Sequence, residues 1–231
     1  MIDYHRFKVL SFDCYGTLID WETGILGALR PMLERHGIAT TTDQILEVYG
    51  ELESQVETED YRPYRSVLRQ VAGRLGERFE FRPSGDDLNC LVESIGHWPA
   101  FADTVESLRR LHTRYQLAII SNTDDDLFAE TNKTLQTKFD HIVTAAQVGA
   151  YKPSRDVFSY AVKSIGVQQE QILHVAQSIF HDHVPAKEMG FSTVWINRRS
   201  GKAGGGATPP AVARPDAEFP DLASLAGAMG L

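Results

Sequence analysis

After residue 98, short apolar runs alternate with helical patterns, and few folds accommodate that order. The alternation is typical of parallel strands joined by right-handed helical crossovers, in a sheet that helices cover on both faces. An earlier run, KVLSF at 8–12, has the same apolar character and stops at Asp13. The later runs that we interpret as strands lie at 117–120, 142–143, 172–177 and 192–197. The sequence therefore predicts an α/β core built on a parallel sheet.

Residues 22–95 follow a different pattern. Apolar residues recur there at helical spacing in about four segments, and no convincing strand lies between them. We therefore expect a helical insertion after the first strand. The expected division is a core domain of residues 1–20 and 97–231 and a helical domain of residues 21–96.

The composition argues against several classes of protein. A hydrophobic fraction of 42% and a charged fraction of 23% are ordinary for globular proteins, so the chain is not disordered throughout. The formal net charge of −8, without a basic stripe, argues against nucleic acid and anionic membranes as partners. The two cysteines form no disulfide framework, and no run approaches the roughly 20 apolar residues of a membrane span. We expect a cytoplasmic protein without a signal peptide.

Residues 200–213 are rich in Gly, Pro and Ala. This composition is typical of a flexible surface loop, because it offers little side chain to bury and leaves many backbone conformations accessible. A mobile flap beside the functional site is the alternative interpretation of the segment.

Polar residues follow the predicted strands at the points where the strands end. Parallel strands have their carboxyl ends at one edge of the sheet, and open α/β sheets bind ligands at that edge. Two carboxylates, two hydroxyls, two amides and an ammonium group are therefore expected to converge there. In chain order these residues are Asp13, Ser121, Asn122, Lys152, Gln177, Ser178 and Asp182. Their complementary chemistry predicts a functional site.

Four short motifs at these strand ends resemble those of one known family, the haloacid dehalogenase superfamily of hydrolases. The motifs are DCYGTL at 13–18, SN at 121–122, KP at 152–153 and the acid Asp182. They match in order and spacing, over essentially the whole chain. The resemblance implies a Rossmann-like core, a cap domain in place of the helical insertion, and Asp13 as a covalent nucleophile.

The predicted catalytic residues are Asp13, Thr17, Lys152 and Asp182. A carboxylate is a weak nucleophile, so Asp13 must be desolvated, oriented and kept ionised. Lys152 supplies positive charge beside it, and Thr17 can fix its second oxygen. Attack by Asp13 gives an ester that water must hydrolyse, and Asp182 is the natural group to orient or deprotonate that water.

Tyr15 distinguishes between two reactions of the family. Phosphatases of the superfamily usually have a second Asp at this position, and that Asp protonates the leaving alcohol. A phenol, with an ordinary pKa of about 10, is poorly suited to this task near neutral pH. A halide leaves without a proton, and the motif resembles the L-2-haloacid dehalogenase branch. The sequence therefore predicts hydrolytic dehalogenation of a small 2-haloacid.

The sequence also departs from the patterns of the superfamily. Phe158 stands where the well-studied dehalogenases have Tyr, and Ile179 stands where they have Asn. At Gln177 the phosphatases usually have an acid, so Asp182 is left as the single carboxylate of the fourth motif. These departures affect the predicted substrate more than the predicted reaction.

The expected substrate is a small anion. Ser121 and Asn122 can donate hydrogen bonds to a carboxylate or to a phosphoryl oxygen. The dehalogenases also have a halide-binding arginine in the cap. Its candidates are Arg62, Arg65 and Arg69, for which an exposed helix face is the alternative interpretation. The predicted substrate-binding residues are Tyr15, Ser121, Asn122, Gln177, Ser178 and Arg65.

No metal or other cofactor is expected. The histidines near the fourth motif have no Cys or Glu at ligand spacing, and His181 is a candidate for the lining of the site. If Mg²⁺ is bound, its expected ligands are Asp13, the carbonyl of Tyr15 and Asp182. Two alternatives remain: a Mg²⁺-dependent phosphatase acting on a small phosphoester, and a catalytically reduced binding protein that keeps the fold. A homodimer is also left open.

Overall fold

Within the described residues, 2–201 and 206–231, the computed structural model forms one six-stranded parallel sheet. The strands are β1 (Val9–Phe12), β2 (Gln116–Ser121), β3 (His141–Thr144), β4 (Ile172–Ala176), β5 (Ser192–Ile196) and β6 (Ala217–Phe219). They lie in the order β3-β2-β1-β4-β5-β6, and every neighbouring pair is parallel. This arrangement confirms the predicted Rossmann-like α/β core.

Helices pack on the sheet, and four further helices make up the insertion. The helices of the insertion are α1 (Trp21–Arg35), α2 (Thr42–Glu57), α3 (Tyr64–Arg78) and α4 (Gly85–Ser94). The helices of the core are α5 (Thr104–Leu111), α6 (Asp125–Leu135), α7 (Ala145–Val148), α8 (Arg155–Ile165), α9 (Val184–Glu188) and α10 (Leu222–Ala228). Among the described residues, no helix has both the length and the apolar character that crossing a membrane requires.

β1 lies near the centre of the sheet because it is apolar on both faces. Val9 packs into one hydrophobic cluster, whereas Leu10 and Phe12 pack into the other. Val9 pairs with Gln116 of β2 and with Ile172 of β4. From β1 the strand order runs outward in both directions, so the carboxyl ends of β1, β2 and β4 meet at a topological switch point. This is where open α/β sheets bind ligands.

The helical insertion, α1 to α4, leaves the core after β1 and returns to it before α5. The two crossings lie side by side, since Asp20 N donates to Pro99 O (2.8 Å) and Phe101 N donates to Leu18 O (3.1 Å). Capping boxes at the starts of α2 and α4 hold the first N–H groups of these helices. The exact division of the chain into two domains stays a prediction.

Trp98 packs directly on α1 at Gly24. A Cβ atom on Gly24 would lie 2.2 Å from the Cγ atom of Trp98. The indole Nε1 donates to Ser94 Oγ (3.0 Å), and the ring lies edge-on to that of Tyr15, with centroids 5.9 Å apart. Trp98 therefore joins the helical insertion to the loop that follows β1.

We expect Gly24→Ala to lower the free energy of unfolding by about 1–3 kcal/mol, because the added methyl group must displace the Trp98 ring. Gly27, on the same helix, is the matched control, since no described atom lies within 4 Å of a Cβ added there. Gly27→Ala should raise the free energy of unfolding by about 0.5–1 kcal/mol, because alanine favours the helix. Urea denaturation measures both effects. Equal stability of the two variants would show that the indole ring is not held against α1.

The predicted surface loop at 200–213 packs in part against α2. Residues 202–205 of this loop lie outside the described residues. Ala207 is buried, and a Cβ atom on Gly50 would lie 2.4 Å from its carbonyl oxygen. Val212, in contrast, is exposed. The prediction of a surface loop is therefore wrong at Ala207, which occupies the space that a glycine of α2 leaves open.

Candidate active site

Asp13 lies directly after β1, at the carboxyl edge of the sheet. Its Oδ2 accepts a hydrogen bond from Thr17 Oγ1 (2.7 Å), and its Oδ1 accepts one from Lys152 Nζ (2.8 Å). The loop turns at Gly16, whose φ of +92° favours glycine. A Cβ atom there would also lie 2.9 Å from Trp21 Nε1. The chain thus folds back after β1 so that Thr17 reaches Asp13.

Lys152 lies at the centre of a buried charge cluster and is 1% exposed. Its Nζ donates to Asp13 Oδ1 (2.8 Å), to Asp182 Oδ1 (2.7 Å) and to the carbonyl oxygen of Ile120 (3.0 Å). These contacts use all three protons of the ammonium group. Burial opposes the charge of Lys152, but the two carboxylates outweigh it and raise the pKa. Lys152 therefore stays protonated, and each of its three ammonium protons has an acceptor within the protein.

Asn122 fixes the backbone of Lys152. Its Oδ1 accepts from Lys152 N (2.7 Å), and its Nδ2 donates to Lys152 O (3.1 Å). Nδ2 also donates to Glu57 of α2, whose two carboxyl oxygens lie at 3.2 and 3.3 Å. The sequence predicted that the amide group of Asn122 binds substrate. In the structure it instead forms hydrogen bonds with Lys152 and Glu57. It orients Lys152 and links the core to the helical insertion.

Asp182 lies in a π-helical turn, Ile179–His183, after β4. Its Oδ1 accepts from Lys152 and from His174 Nε2 (2.9 Å), and His174 Nδ1 lies 3.0 Å from Ser11 Oγ. Burial alone would raise the pKa of Asp182, but Lys152 and His174 lower it below its usual range. Asp182 is therefore ionised, and its buried Oδ2 has no hydrogen-bond partner among the described residues.

Phe158 packs beside His174, the imidazole that donates to Asp182. Its ring lies edge-on to the ring of His174, with centroids 5.3 Å apart and an interplanar angle of 87°. Phe158 therefore packs against the imidazole that hydrogen-bonds to Asp182.

Thr17 connects Asp13 to the loop after β4. Its Oγ1 donates to Asp13 and accepts a hydrogen bond from the backbone N–H of Gln177 (2.9 Å). The Gln177 side chain lies outside the site, where its Oε1 accepts from Thr208 Oγ1 (3.4 Å). The structure therefore corrects the prediction for Gln177, because this position contributes a backbone N–H group and not a substrate-binding side chain.

Tyr15 lines the site, and its hydroxyl has its hydrogen-bond partner on α6. The hydroxyl is hydrogen-bonded to Thr131 Oγ1 of α6 at 2.8 Å. Burial raises the pKa of Tyr15 above its ordinary value. Tyr15 is thus a neutral side chain that does not exchange a proton near neutral pH.

Two buried glutamates of α2, Glu53 and Glu57, form the wall opposite Asp13, and the sequence did not predict them. They lie four residues apart and therefore on one helix face. Glu53 Oε1 accepts hydrogen bonds from Tyr49 OH (2.8 Å) and from Tyr64 OH. Burial raises the pKa of Glu53 to about 7. Burial and the neighbouring Glu53 together raise the pKa of Glu57 well above its ordinary value.

A sequence signal for this wall existed. The apolar face of α2 includes Ile45, Tyr49, Leu52 and Val56, all of which are buried. Glu53 lies on that face, one turn after Tyr49. An acid within an apolar stripe is unusual in a surface helix, and it points to a buried role.

The structure corrects the prediction for Arg65, which does not reach the site. Its side chain is 35% exposed and forms ion pairs with Asp126 and with Asp124, the latter at 3.4 Å. The backbone N–H groups at the start of α3 hold Asp124 in place, since Tyr64 N (2.7 Å) and Arg65 N (3.0 Å) donate to its carboxylate. Arg65 therefore links the helical insertion to the core at the surface.

The other two arginine candidates also have partners elsewhere. Arg62 donates to Glu59 (2.9 Å), and Arg69 donates from Nε to Asn89 (2.8 Å). Neither lines the cavity beside Asp13. The exposed-face interpretation therefore fits these arginines better than halide binding does.

A small cavity lies between the sheet edge and α2. Its volume of about 30 Å³ is room for one or two water molecules. Of the residues predicted for the site, it brings together Asp13, Tyr15, Ser121, Asn122, Lys152, Ser178 and Asp182. His181 also lines it, and burial lowers the pKa of this imidazole to about 4, so His181 is neutral. Ser121 Oγ and His181 Nε2 have no hydrogen-bond partner among the described residues.

The carboxylates fit a magnesium ion poorly. Lys152 Nζ lies between Asp13 Oδ1 and Asp182 Oδ1, at 2.8 and 2.7 Å, and Thr17 donates to Asp13 Oδ2. Of these four carboxyl oxygens, only Asp182 Oδ2 has no partner among the described residues, whereas Mg²⁺ prefers several oxygen ligands. Within the described part of the chain, no cluster of three or more His, Cys, Asp or Glu side chains has the arrangement of a metal site. The ammonium group of Lys152 thus already supplies a positive charge between the two carboxylates.

The fold and the site define a class of protein: an α/β enzyme core with an inserted helical segment over a buried Asp–Lys–Asp cluster. The family model described as "Haloacid dehalogenase-like hydrolase" matches residues 10–196 of the chain. The chain therefore belongs to the haloacid dehalogenase-like hydrolases. This result confirms the resemblance that the four motifs predicted.

Similar proteins of known name agree with that assignment. An (S)-2-haloacid dehalogenase of Pseudomonas sp. (strain YL) is 31% identical over 207 residues, which cover 85% of this chain and 84% of that protein. An (S)-2-haloacid dehalogenase of Pseudomonas putida is 27% identical over 211 residues, covering 83% and 85%. The L-2-haloacid dehalogenase of Xanthobacter autotrophicus with covalently bound chloropropionic acid shares the fold, with a TM-score of 0.80 and 20% identity over 97% of this chain and 98% of that one.

Proposed function

We propose that the chain hydrolyses the carbon–halogen bond of a small α-halogenated carboxylic acid or of a close derivative, through an ester on Asp13. The environment of Tyr15 is the observation that favours a halide as the leaving group. The hydroxyl of Tyr15 is bound to Thr131 and its pKa is raised, so Tyr15 does not protonate a leaving alcohol near neutral pH. A halide is the conjugate base of a strong acid and leaves without a proton. The names of the two Pseudomonas relatives support this choice.

In the first step, one oxygen of Asp13 attacks the carbon that carries the halogen. The new carbon–oxygen bond forms as the carbon–halogen bond breaks, and the halide leaves with the bonding electron pair. Burial raises the pKa of Asp13, and the charge of Lys152 opposes that rise. The carboxylate is therefore poorly solvated but paired, as a carboxylate nucleophile requires. Thr17 and Lys152 hold its two oxygens in a fixed orientation.

In the second step, water attacks the carbonyl carbon of the ester. Asp182 Oδ2 has no partner among the described residues, so it can accept a proton from that water. The acyl–oxygen bond then breaks, and the proton held by Asp182 passes to the departing alkoxide. The second proton of the water is released to solvent, which restores the Asp13 carboxylate. The products are the halide and the hydroxylated organic molecule. Covalently bound chloropropionic acid in the Xanthobacter autotrophicus dehalogenase is consistent with a covalent route.

The two alternative functions have less support. A Mg²⁺-dependent phosphatase needs an acid to protonate the leaving alcohol, and Tyr15, with its raised pKa, stands at the position of that acid. A catalytically reduced binding protein has no need for the contacts among Asp13, Thr17, Lys152 and Asp182, which are all formed. Neither alternative explains why a neutral tyrosine follows the nucleophile.

The direct test is a measurement of product. Chloroacetate, both enantiomers of 2-chloropropionate, and the amides of these acids are incubated with the protein, and chloride is measured. p-Nitrophenyl phosphate serves as the parallel substrate, with phosphate as the measured product. We expect chloride from at least one halogenated compound and no phosphate above the blank. Phosphate without chloride would overturn the proposal.

Removal of metal is expected to leave dehalogenation unchanged. After exhaustive EDTA treatment, chloride release should stay within experimental error of the untreated protein, and added Mg²⁺ should not increase it. The physical reason is that the ammonium group of Lys152 supplies the positive charge beside Asp13. Initial rates with and without EDTA give the answer. Loss of activity that Mg²⁺ restores would instead favour a metal-dependent reaction.

A further inference from the structure

The cavity beside Asp13 offers neutral hydrogen-bond donors and no free cation. Lys152 is the one residue with a permanent positive charge among the described residues that line it, and all three of its ammonium protons are bound within the protein. Ser121 Oγ and His181 Nε2 are buried and have no hydrogen-bond partner in the described part of the chain. An anion that enters this cavity is therefore held by neutral donors.

His181 directs an N–H group toward Glu57. Ser178 Oγ accepts a hydrogen bond from the backbone N–H of His181 (2.9 Å) and lies 3.1 Å from its Nδ1. The hydroxyl proton of Ser178 is then free to point at Nδ1, which leaves the proton of the neutral imidazole on Nε2. Nε2 lies 3.6 Å from Glu57 Oε2. That separation is too long for a good hydrogen bond, but one oxygen of a ligand can contact both atoms.

Glu53 and Glu57 are not equally supplied with hydrogen-bond donors. Glu53 Oε1 accepts from the hydroxyls of two tyrosines. Glu57 has a side chain that is 5% exposed, and among the described residues it accepts only from Asn122 Nδ2, which also donates to Lys152 O. Two buried carboxyl groups one helical turn apart do not both ionise readily, and the group with fewer donors keeps the proton. Glu57 is therefore the protonated member of the pair.

The surroundings of Glu57 favour its neutral form. Burial and the charge of Glu53 raise the pKa of Glu57 well above its ordinary value, against the opposing effects of Lys152 and Asn122. Asp13 and Asp182 add negative charge to the same cavity. Within the described residues, the titratable groups that face Glu57 are Glu53 and Tyr49 of α2, Tyr64 of α3, Tyr151 and Lys152 before α8, and His181 after β4. Burial raises the pKa of each of these tyrosines, so a change of charge on this wall between pH 6 and pH 9.5 comes from the two glutamates.

We propose that Glu57, in its protonated form, donates a hydrogen bond to the carboxylate of the substrate, beside Ser121 Oγ and His181 Nε2. Three donors then replace the hydration that the carboxylate loses, as a buried anion requires. The carboxylate is charged from the moment of binding, whereas the halide gains its charge only as its bond breaks, so we assign the donors to the carboxylate. Loss of the proton from Glu57 removes one donor and adds a repelling charge. The inference depends on the proposed dehalogenation for the identity of the anion.

Glu57→Gln tests the role of the proton, because glutamine keeps the shape, an oxygen for Asn122 and an N–H donor at every pH. The measured quantity is kcat/KM for chloride release from chloroacetate, as the ratio of the variant to the wild type. We expect this ratio to rise at least tenfold between pH 6 and pH 9.5, since only the wild type loses its donor. Glu47→Gln, at an exposed position of the same helix, is the matched control, and its ratio should stay constant.

The neutral substrate 2-chloroacetamide separates the carboxylate from the halide. Its ratio for Glu57→Gln should stay constant, because it brings no anion to the site. Blanks with Asp13→Asn correct for chloride that is released by alkylation of the two cysteines. An equal rise with both substrates would assign Glu57 to the departing halide and overturn the inference, and so would a constant ratio with chloroacetate. In either case chloride release would still support the proposed function.

Release of no chloride from any compound contradicts the proposed function and leaves the recognition to be tested by binding. Ligand-observed NMR then compares acetate, acetamide and chloride ion at pH 6 and pH 9.5. Acetate should bind to the wild type at least tenfold more weakly at the higher pH, and Glu57→Gln should remove most of that loss. Acetate that does not bind at pH 6, or that binds equally at both pH values, would overturn the inference. A loss of binding confined to chloride ion would also overturn it.

Discussion

Asp13→Asn abolishes turnover and leaves the fold intact, if Asp13 is the nucleophile. The amide has the same shape as the carboxylate but is far less nucleophilic, so the ester does not form. Burial already raises the pKa of Asp13, which means that its charge is held in the folded protein at a cost. Removing the charge is therefore not expected to unfold the chain. The oxygen of asparagine can still accept a hydrogen bond from Thr17 or Lys152.

The measurement is steady-state chloride release together with urea denaturation. Asp86→Asn is the matched control, because Asp86 is exposed in the first turn of α4 and far from the site in sequence. It should keep full activity. Residual activity of Asp13→Asn above a few per cent of wild type, after mass spectrometry has excluded deamidation to aspartate, would remove Asp13 from the mechanism.

The residues that meet at the carboxyl edge of the sheet were predictable, because the topology of a parallel sheet places them there. Once β1, β2 and β4 are recognised as parallel neighbours, Asp13, Ser121 and Ser178 must lie close together at their carboxyl ends. Lys152 and Asp182 were predicted from their motifs, and the structure places them in contact with each other. Local sequence sufficed here because the backbone of a parallel sheet leaves little freedom at the strand ends.

The wall formed by α2 was harder to predict, because it depends on how two parts of the chain pack. Glutamates four residues apart on a helix are usually solvated. The apolar stripe of α2 points to a buried Glu53, but nothing local shows that Glu57 is also buried or that both face Asp13. Arg65 presents the reverse case. The position of Arg65 near the expected cap site suggested anion binding. In the structure, however, Arg65 forms ion pairs with Asp124 and Asp126, next to the start of α6.

The structure differs from the sequence predictions in two further places, and each difference has a simple physical cause. The side chain of Gln177 points away from the site, and the position acts through its backbone N–H, a role that sequence does not reveal. Strand β6 and helix α10 were not predicted. β6 has only three residues, and its pairing with β5, Ile196 opposite Phe219, is formed through tertiary contact and not through a strong local pattern.

Lys152→Met is expected to lower the rate at least a hundredfold, about 2.7 kcal/mol in activation free energy. Methionine keeps most of the stem volume but removes the ammonium group and its three hydrogen bonds. Asp13 and Asp182 are then buried without a countercharge, and breaking such a cluster costs about 3–5 kcal/mol of stability. Lys138→Met, at an exposed position, is the matched control and should retain wild-type rate and stability.

The pH dependence of stability separates a charge effect from a loss of packing. In the wild type, Lys152 keeps the pKa of Asp182 low, so the stabilisation from Asp182 is present above the unfolded pKa of about 3.9 and is lost as the pH falls. Without Lys152, the pKa values of both carboxyl groups rise, and the folded variant then holds protons that the unfolded chain releases. Its free energy of unfolding should therefore fall, relative to wild type, as the pH rises from 5 to 8. Urea denaturation at both pH values tests this. A deficit that is equal at pH 5 and pH 8, or a rate within threefold of wild type, would show that the charge of Lys152 does not hold the two aspartates in their ionised form.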